Sequence, residues 1–144
     1  IAADLAIAAR SAKLGQAGTK VGAGPVVGAT NIMPLQIGEK RAKQIVFFSK
    51  IVTAETAYEW GWVNEVVDDD KLRETTRAYC DELLGLHPQS LEINKQASNV
   101  WWHSSYESMV GGIHALALGI PAESLDETRE AFTNKRKPNF DPWR

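Results

Sequence analysis

Gly15-Gln16-Ala17-Gly18-Thr19-Lys20-Val21-Gly22-Ala23-Gly24-Pro25-Val26-Val27-Gly28 carries five glycines and a proline in one short run. Glycine gives up the most backbone freedom in a helix, and proline lacks the N–H that a helix needs. The run therefore reads as a folded loop in which backbone approaches something closely. It is not a Walker phosphate loop, because the Gly-Lys-Ser/Thr ending is absent. Nor is it the dinucleotide Gly-x-Gly-x-x-Gly in a strand-to-helix setting. Taken alone, a structural turn is the simpler reading. Just upstream, residues 4–9 read as a buried strand and residues 13–16 as a second short extended piece.

Downstream of the loop the pattern turns helical. Residues 29–37 predict a short helix, turned near Pro34 and ended by Gly38. Residues 40–48 predict a second, with Ala42, Ile45 and Val46 on one face. Thr53 is suited to cap a helix through Trp60, with Gly61 at its end. Residues 62–67 predict a strand. Asp68-Asp69-Asp70 puts negative charge where a helix dipole favours it, at the start of a helix over 71–86. His87-Pro88 breaks that helix, with His87 as a cap. Helices over 89–103 and 106–118 follow. Ser124-Leu125-Asp126-Glu127 has the capping-box pattern for a last helix, which Lys135-Arg136-Lys137 and Pro138 close. Strands and loops come first and helices after, an α/β chain with one core and a helical extension.

Composition narrows the function classes. The formal net charge of -2 gives no basic excess for a nucleic acid backbone. No apolar stretch reaches membrane-spanning length. Cys80 is the single cysteine, so no internal disulfide forms, and a reducing, cytoplasmic setting is expected. The chain opens at Ile1 rather than Met, and Asp4 interrupts the first apolar run, which is not the pattern of a secretory signal. A start inside a strand, with other residues preceding it, is the expectation. No cluster announces a nucleophile. His103, Ser104 and Ser105 are adjacent on one helix and do not face one another as a relay. His114 reads as a packed core histidine. Trp101 and Trp102 read as core or subunit contacts. No His/Cys/Asp/Glu set has metal-ligand spacing, so no metal site is expected.

Several blocks, in order along the chain, resemble the crotonase (enoyl-CoA hydratase/isomerase) superfamily. They are Ala3-Asp4-Leu5-Ala6-Ile7-Ala8, Ala12-Lys13-Leu14-Gly15-Gln16, Lys20-Val21-Gly22, Ile37-Gly38-Glu39-Lys40-Arg41-Ala42, Thr53-Ala54-Glu55-Thr56-Ala57 and Trp60-Gly61-Trp62-Val63-Asn64-Glu65-Val66-Val67. The end, Ala131-Phe132-Thr133-Asn134-Lys135-Arg136-Lys137-Pro138-Asn139-Phe140, is similar to the family's last helix. The resemblance implies a crotonase-like spiral of ββα turns, its C-terminal portion here over residues 1–70. Residues 71–144 would be a helical region for oligomerisation and coenzyme A contact. It implies an acyl-CoA thioester as substrate, coenzyme A arriving as part of it with no separate cofactor, and a homotrimer or hexamer. It also implies two backbone N–H donors that hold the thioester oxygen as an enolate forms. Those donors, and the first catalytic glutamate of hydratases, lie upstream of the strand that begins at Asp4, so the catalytic residues of this chain are unknown.

The second catalytic glutamate of hydratases follows a Gly-Gln-Pro pattern. Gly15-Gln16-Ala17 matches that stretch and Gly18 stands at the glutamate position. Glycine cannot move a proton, which speaks against simple two-glutamate hydration. Glycine here is similar to family branches that handle ring substrates. The absent side chain would leave room for a ring, water or bicarbonate, with Gln16 holding a small polar guest. In 1,4-dihydroxy-2-naphthoyl-CoA synthases the next loop carries an aspartate, and by equal-length alignment Pro25 occupies its place. The loop resembles that of 6-oxocyclohex-1-ene-1-carbonyl-CoA hydrolases, enzymes of anaerobic aromatic degradation. This implies a substrate pocket shaped by Gln16, Gly18, Gly24, Pro25, Val26 and Gly28. Phe132 and Lys135 match the family's aromatic and lysine that contact the coenzyme A nucleotide. The alternatives are an enoyl-CoA hydratase, a naphthoyl-CoA synthase, or a non-catalytic RNA-binding or scaffold protein that keeps the fold.

Overall fold

The structure, a computed structural model, describes residues 1–144. Four three-residue strands pair two by two. Strand β1 (Ile7–Ala9) lies parallel to β4 (Glu65–Val67), with Ala8 opposite Val66. Strand β2 (Lys13–Gly15) lies antiparallel to β3 (Ile51–Thr53), with Leu14 opposite Val52. Pairs this short are marginal by themselves. They are held by α1 (Met33–Ile37), α2 (Glu39–Phe48) and α3 (Ala54–Glu59) around one core. Met33 and Ile45 are fully buried at its centre, and Ala8, Ala29, Ile37 and Val52 pack with them. The face of α2 predicted to point inward, Ala42, Ile45 and Val46, is the buried one.

Both strands expected at the edges are shorter than their apolar runs. Ahead of β1, the Ala6 N–H donates to Asn64 Oδ1 at 2.8 Å, and the Asn64 N–H donates back to the Ala6 carbonyl at 2.7 Å. A side-chain clasp thus replaces the ladder there. Ahead of β4, residues 60–62 are used to close α3. The Trp62 N–H reaches the Ala57 carbonyl at 2.8 Å and the Gly61 N–H the Tyr58 carbonyl at 2.9 Å. Gly61 is left-handed, at φ +76°, which only glycine adopts without strain. At the other end of α3, Thr53 caps as predicted, its Oγ1 accepting from the Thr56 N–H at 3.2 Å. Strand β3 had no sequence signal, since three residues are too few to show alternation. The helix expected over 29–37 begins only at Met33, because the Gly28 carbonyl takes the Ile32 and Met33 N–H groups in a turn. Pro34 then falls in the first helical turn, where its missing N–H has no partner to lose.

The second half is helical: α4 (Leu72–Leu84), α5 (Pro88–Ser98), α6 (Val100–Gly119) and α7 (Ala122–Thr133). Tyr79 of α4 ties this half to β4 through a 3.0 Å hydrogen bond to Glu65. His87 caps α5 as expected, Nδ1 accepting from the Ser90 N–H at 3.3 Å. The break expected near residues 104–105 does not occur. Neither residue is glycine or proline, and the Ser104 hydroxyl folds back onto the Trp101 carbonyl at 3.2 Å without interrupting the ladder. The expected capping box on α7 does not form either. The helix starts earlier, at Ala122, so Ser124 lies within its first turn and donates to the Pro121 carbonyl at 2.9 Å. None of α4, α5 or α6 has a fully buried residue, although α6 carries Trp101, Tyr106, Ile113 and Leu118. No helix is long and apolar enough to cross a membrane.

Candidate functional site

The glycine loop is fixed by its own backbone and by α2. Residues Gly18–Val21 form a 3-10 turn, whose Gly18 carbonyl accepts the Ala23 N–H at 2.8 Å. Thr19 Oγ1 donates to the Val46 carbonyl at 2.6 Å, and the Lys20 N–H donates to Ser49 Oγ at 3.0 Å. Gly22 is left-handed at φ +67°, and a Cβ there would stand 2.7 Å from Thr128 Oγ1 of α7. The loop glycines thus serve close packing, which answers what the backbone approaches.

The predicted pocket residues do not line one common cavity. Gln16 lines a cavity of about 290 Å³ with Lys13, Lys20 and Ser49. Gly18 faces its own loop: a Cβ there would lie 2.8 Å from Pro25 Cδ and 3.0 Å from the Ala23 carbonyl oxygen. The space expected beside Gly18 for a ring, water or bicarbonate is, in the direction of a side chain, filled by Pro25. Gly24 and Val26 meet α6, since a Cβ on Gly24 would reach Leu116 at 3.0 Å and one on Gly112 would reach Val26 at 3.0 Å. Gly28 is buried and left-handed at φ +81°, with Ile1 and Trp102 over it. Asn31 extends the same seam, donating to Ser108 Oγ of α6 at 2.5 Å.

A larger cavity, about 660 Å³, lies elsewhere: between the Ala3–Leu5 segment, Leu35 and Gln36 of α1, and Trp101 and Trp102 at the start of α6. Its size is that of a small-molecule site. Its two ionisable groups, Asp4 and Lys95, are paired with each other at 2.6 Å across its rim. Sequence reasoning missed this cavity. The adjacent tryptophans were the signal available, and they were assigned to packing. Asp4 and Lys95 are 91 positions apart and gave none. His114, expected in the core, is exposed, on a helix that has no fully buried residue.

At the opposite end, Phe132 and Lys135 lie together at the close of α7. Phe132 is 83% exposed, and Lys135 is left-handed at φ +52° and forms no ion pair. Beside them Glu127 holds both Arg136 nitrogens, at 2.5 and 2.8 Å, and the Asn139 N–H at 2.6 Å. The Arg136 guanidinium, with that backbone donor, pulls the Glu127 carboxyl down from its ordinary 4.5 to about 2. Chemically, the chain offers apolar cavities, close backbone and a cationic helix end. Apart from the Asp4–Lys95 ion pair on the rim of the larger one, no pair of acidic and basic groups converges on either cavity, and no group of three or more His, Cys, Asp or Glu is arranged to hold a metal ion.

Comparison with known proteins gives these features a setting. A family model described as enoyl-CoA hydratase/isomerase matches residues 1–142. The structure resembles carnitinyl-CoA hydratase from Mycobacterium avium at TM-score 0.90 and 26% identity, covering 97% of this chain and 55% of that one. It resembles an enoyl-CoA hydratase from Mycobacterium avium subsp. paratuberculosis K-10 at TM-score 0.84 and 25% identity, covering 95% and 56%. It also resembles an enoyl-CoA hydratase/isomerase from Pseudoalteromonas atlantica T6c at TM-score 0.76 and 26% identity, again covering 95% and 56%. The chain therefore spans little more than half the length of these relatives.

Proposed function

Since the chain belongs to the enoyl-CoA hydratase/isomerase family, we propose that the whole protein processes an acyl-CoA thioester, adding water to a cyclic oxo-acyl-CoA and then opening the ring by hydrolysis. The observation that carries the ring-opening reading is Gly18. The residue that resembles a hydratase's second glutamate position has no side chain, and Pro25 stands 2.8 Å from where one would begin. Proton transfer from this position is therefore unavailable to the reaction. In this reading the enolate oxygen is held by backbone N–H donors upstream of Asp4, and most of the proton-transfer side chains also lie outside residues 1–144. Gln16, Gly18 and the loop from Gly24 through Pro25 and Val26 to Gly28 shape the acyl end, and Phe132 and Lys135 meet the coenzyme A nucleotide.

The two-part organisation, a spiral core over 1–70 and a helical region over 71–144, belongs to the same proposal. So does assembly as a trimer or hexamer. It is supported by α6, a helix with no fully buried residue, on which Trp101, Tyr106 and Leu118 are 58, 64 and 89% exposed, apolar surface that water does not favour. The second reading is an ordinary hydratase. It is favoured by the relatives, described as hydratases of carnitinyl-CoA and enoyl-CoA.

The test is a mass-spectrometric product assay of the full-length protein with 6-oxocyclohex-1-ene-1-carbonyl-CoA beside crotonyl-CoA. A gain of two waters on the cyclic substrate, with little change in crotonyl-CoA, is expected. One water on crotonyl-CoA without ring opening returns the protein to the hydratases.

A further inference from the structure

Helix α7 ends in a turn that places a lysine where glycine is the usual occupant. The Lys135 N–H donates to the Phe132 carbonyl at 3.2 Å, and the Arg136 N–H donates to the Ala131 carbonyl at 2.9 Å. These are the two bonds of a Schellman cap, with Lys135 at its left-handed position, φ +52°. A residue with a Cβ is strained there relative to glycine. Something outside the turn must hold it.

Glu127, about two turns back, does so. Its carboxylate grips the fork of Arg136, the residue that follows Lys135, at 2.5 and 2.8 Å. It also draws the chain back over α7 through the Asn139 N–H at 2.6 Å. Glu130 adds a longer contact to Arg136 at 3.7 Å. The pair is partly shielded, Glu127 being 16% and Arg136 39% exposed. The charges at this end are thus divided: Arg136 neutralises the carboxylates, and Lys135 forms no ion pair. The same clasp carries Phe140 to 3.6 Å from where a Gly22 Cβ would stand, so the tail rests on the glycine loop.

We propose that Glu127 and Arg136 are positioning residues that hold the Lys135 turn in its strained form, so that the ammonium is already presented to a phosphate of the coenzyme A nucleotide. This rests on the reading that Phe132 and Lys135 meet that nucleotide. Phe132 belongs to the helix proper and is held by it, whereas Lys135 depends on the clasp. A bidentate guanidinium–carboxylate fork supplies the geometric rigidity that a lysine in place of Arg136 would not. Preorganising the cation removes the cost of ordering it on binding.

The experiment is calorimetric titration of the full-length protein with coenzyme A, for Glu127→Gln, Lys135→Gly and the double variant. Lys135→Gly removes the charge while suiting the left-handed turn. It is expected to weaken binding. If the turn is populated to about one tenth without the clasp, Glu127→Gln raises the apparent Kd about tenfold. In the Lys135→Gly background the same change should do little, because there is no ammonium left to position. Equal losses in both backgrounds would mean a purely structural role and overturn the proposal, as would an unchanged Kd for Glu127→Gln where Lys135→Gly weakens binding. Unchanged binding by Lys135→Gly itself would overturn the nucleotide reading underneath. If Glu127→Gln unfolds, Arg136→Lys, which keeps the charge and loses the fork, replaces it in the same cycle with the same criteria.

Discussion

Gly18 is the position at which the functional reading and the packing meet, and replacing it by alanine separates them. The new Cβ would lie 2.8 Å from Pro25 Cδ, 3.0 Å from the Ala23 carbonyl oxygen and 3.2 Å from the Pro25 nitrogen. Carbon atoms in favourable contact sit at about 3.5–4.0 Å. None of the three neighbours is the free end of a flexible side chain; two are backbone and one is a proline ring. The loop itself must shift, away from its anchors at Val46 and Ser49. Overpacking of this kind costs about 1–3 kcal/mol. At roughly 3–4 °C per kcal/mol for a chain of this size, the melting temperature should fall by about 3–12 °C. Gly111→Ala is the control. Gly111 lies inside α6 with nothing within 4 Å of a Cβ, so alanine there should stabilise by about 1 kcal/mol. Thermal unfolding followed by far-ultraviolet circular dichroism reads both. If Gly18→Ala melts at or above the parent while Gly111→Ala behaves as expected, the close packing of Gly18 against Pro25 is refuted.

Two further outcomes follow from the core and from the clasp. Ile45 is fully buried in the centre of the cluster, so Ile45→Ala should cost about 2–5 kcal/mol and Ile45→Val about 0.5–1.5, measured by urea unfolding; equal effects of the two would contradict a tightly filled site. For Glu127, the folded carboxyl titrates at about 2 against an ordinary 4.5, so the folded state binds this proton less readily than the unfolded state. Its stabilisation is complete above about pH 4.5 and is lost as pH falls toward 2. Glu127→Gln should lower the urea midpoint at neutral pH and flatten its acid dependence across that window. An unchanged slope would place the acid sensitivity elsewhere.

Much of the candidate site was legible only by likeness. Phe132 and Lys135 drew attention because they resemble a family's nucleotide contacts, yet nothing in the sequence showed that Lys135 would be left-handed or that Arg136 would be taken by Glu127. The capping-box reading had in fact placed Glu127 at the start of its helix, facing Ser124. Because the helix begins at Ala122, Glu127 lies well inside it, out of reach of a cap at Ser124, and its carboxylate instead takes the Arg136 fork and the Asn139 N–H. Gly18 was legible as a missing acid, but the proline that fills its place could be seen only in three dimensions. Of the predicted pocket, Gln16 faces a small cavity, while Gly24, Val26 and Gly28 pack toward α6 or the Trp102 ring.

From residue order alone came the loop at Gly15–Gly28, the inward face of α2, the Thr53 and His87 caps, the Gly61 stop, and a helical second half. Each of these rests on interactions within a few residues: helical period, a cap three positions on, or a φ that only glycine adopts freely. Tertiary structure decided the two sheets, the lengths of their strands, and the cavity between Leu5, Gln36 and Trp101. It also decided the Asp4–Lys95 pair across 91 positions and the seam of Val26 against Gly112. Those depend on which surfaces the core brings within a few ångströms of each other, and contact energies act through space, without regard to distance along the chain.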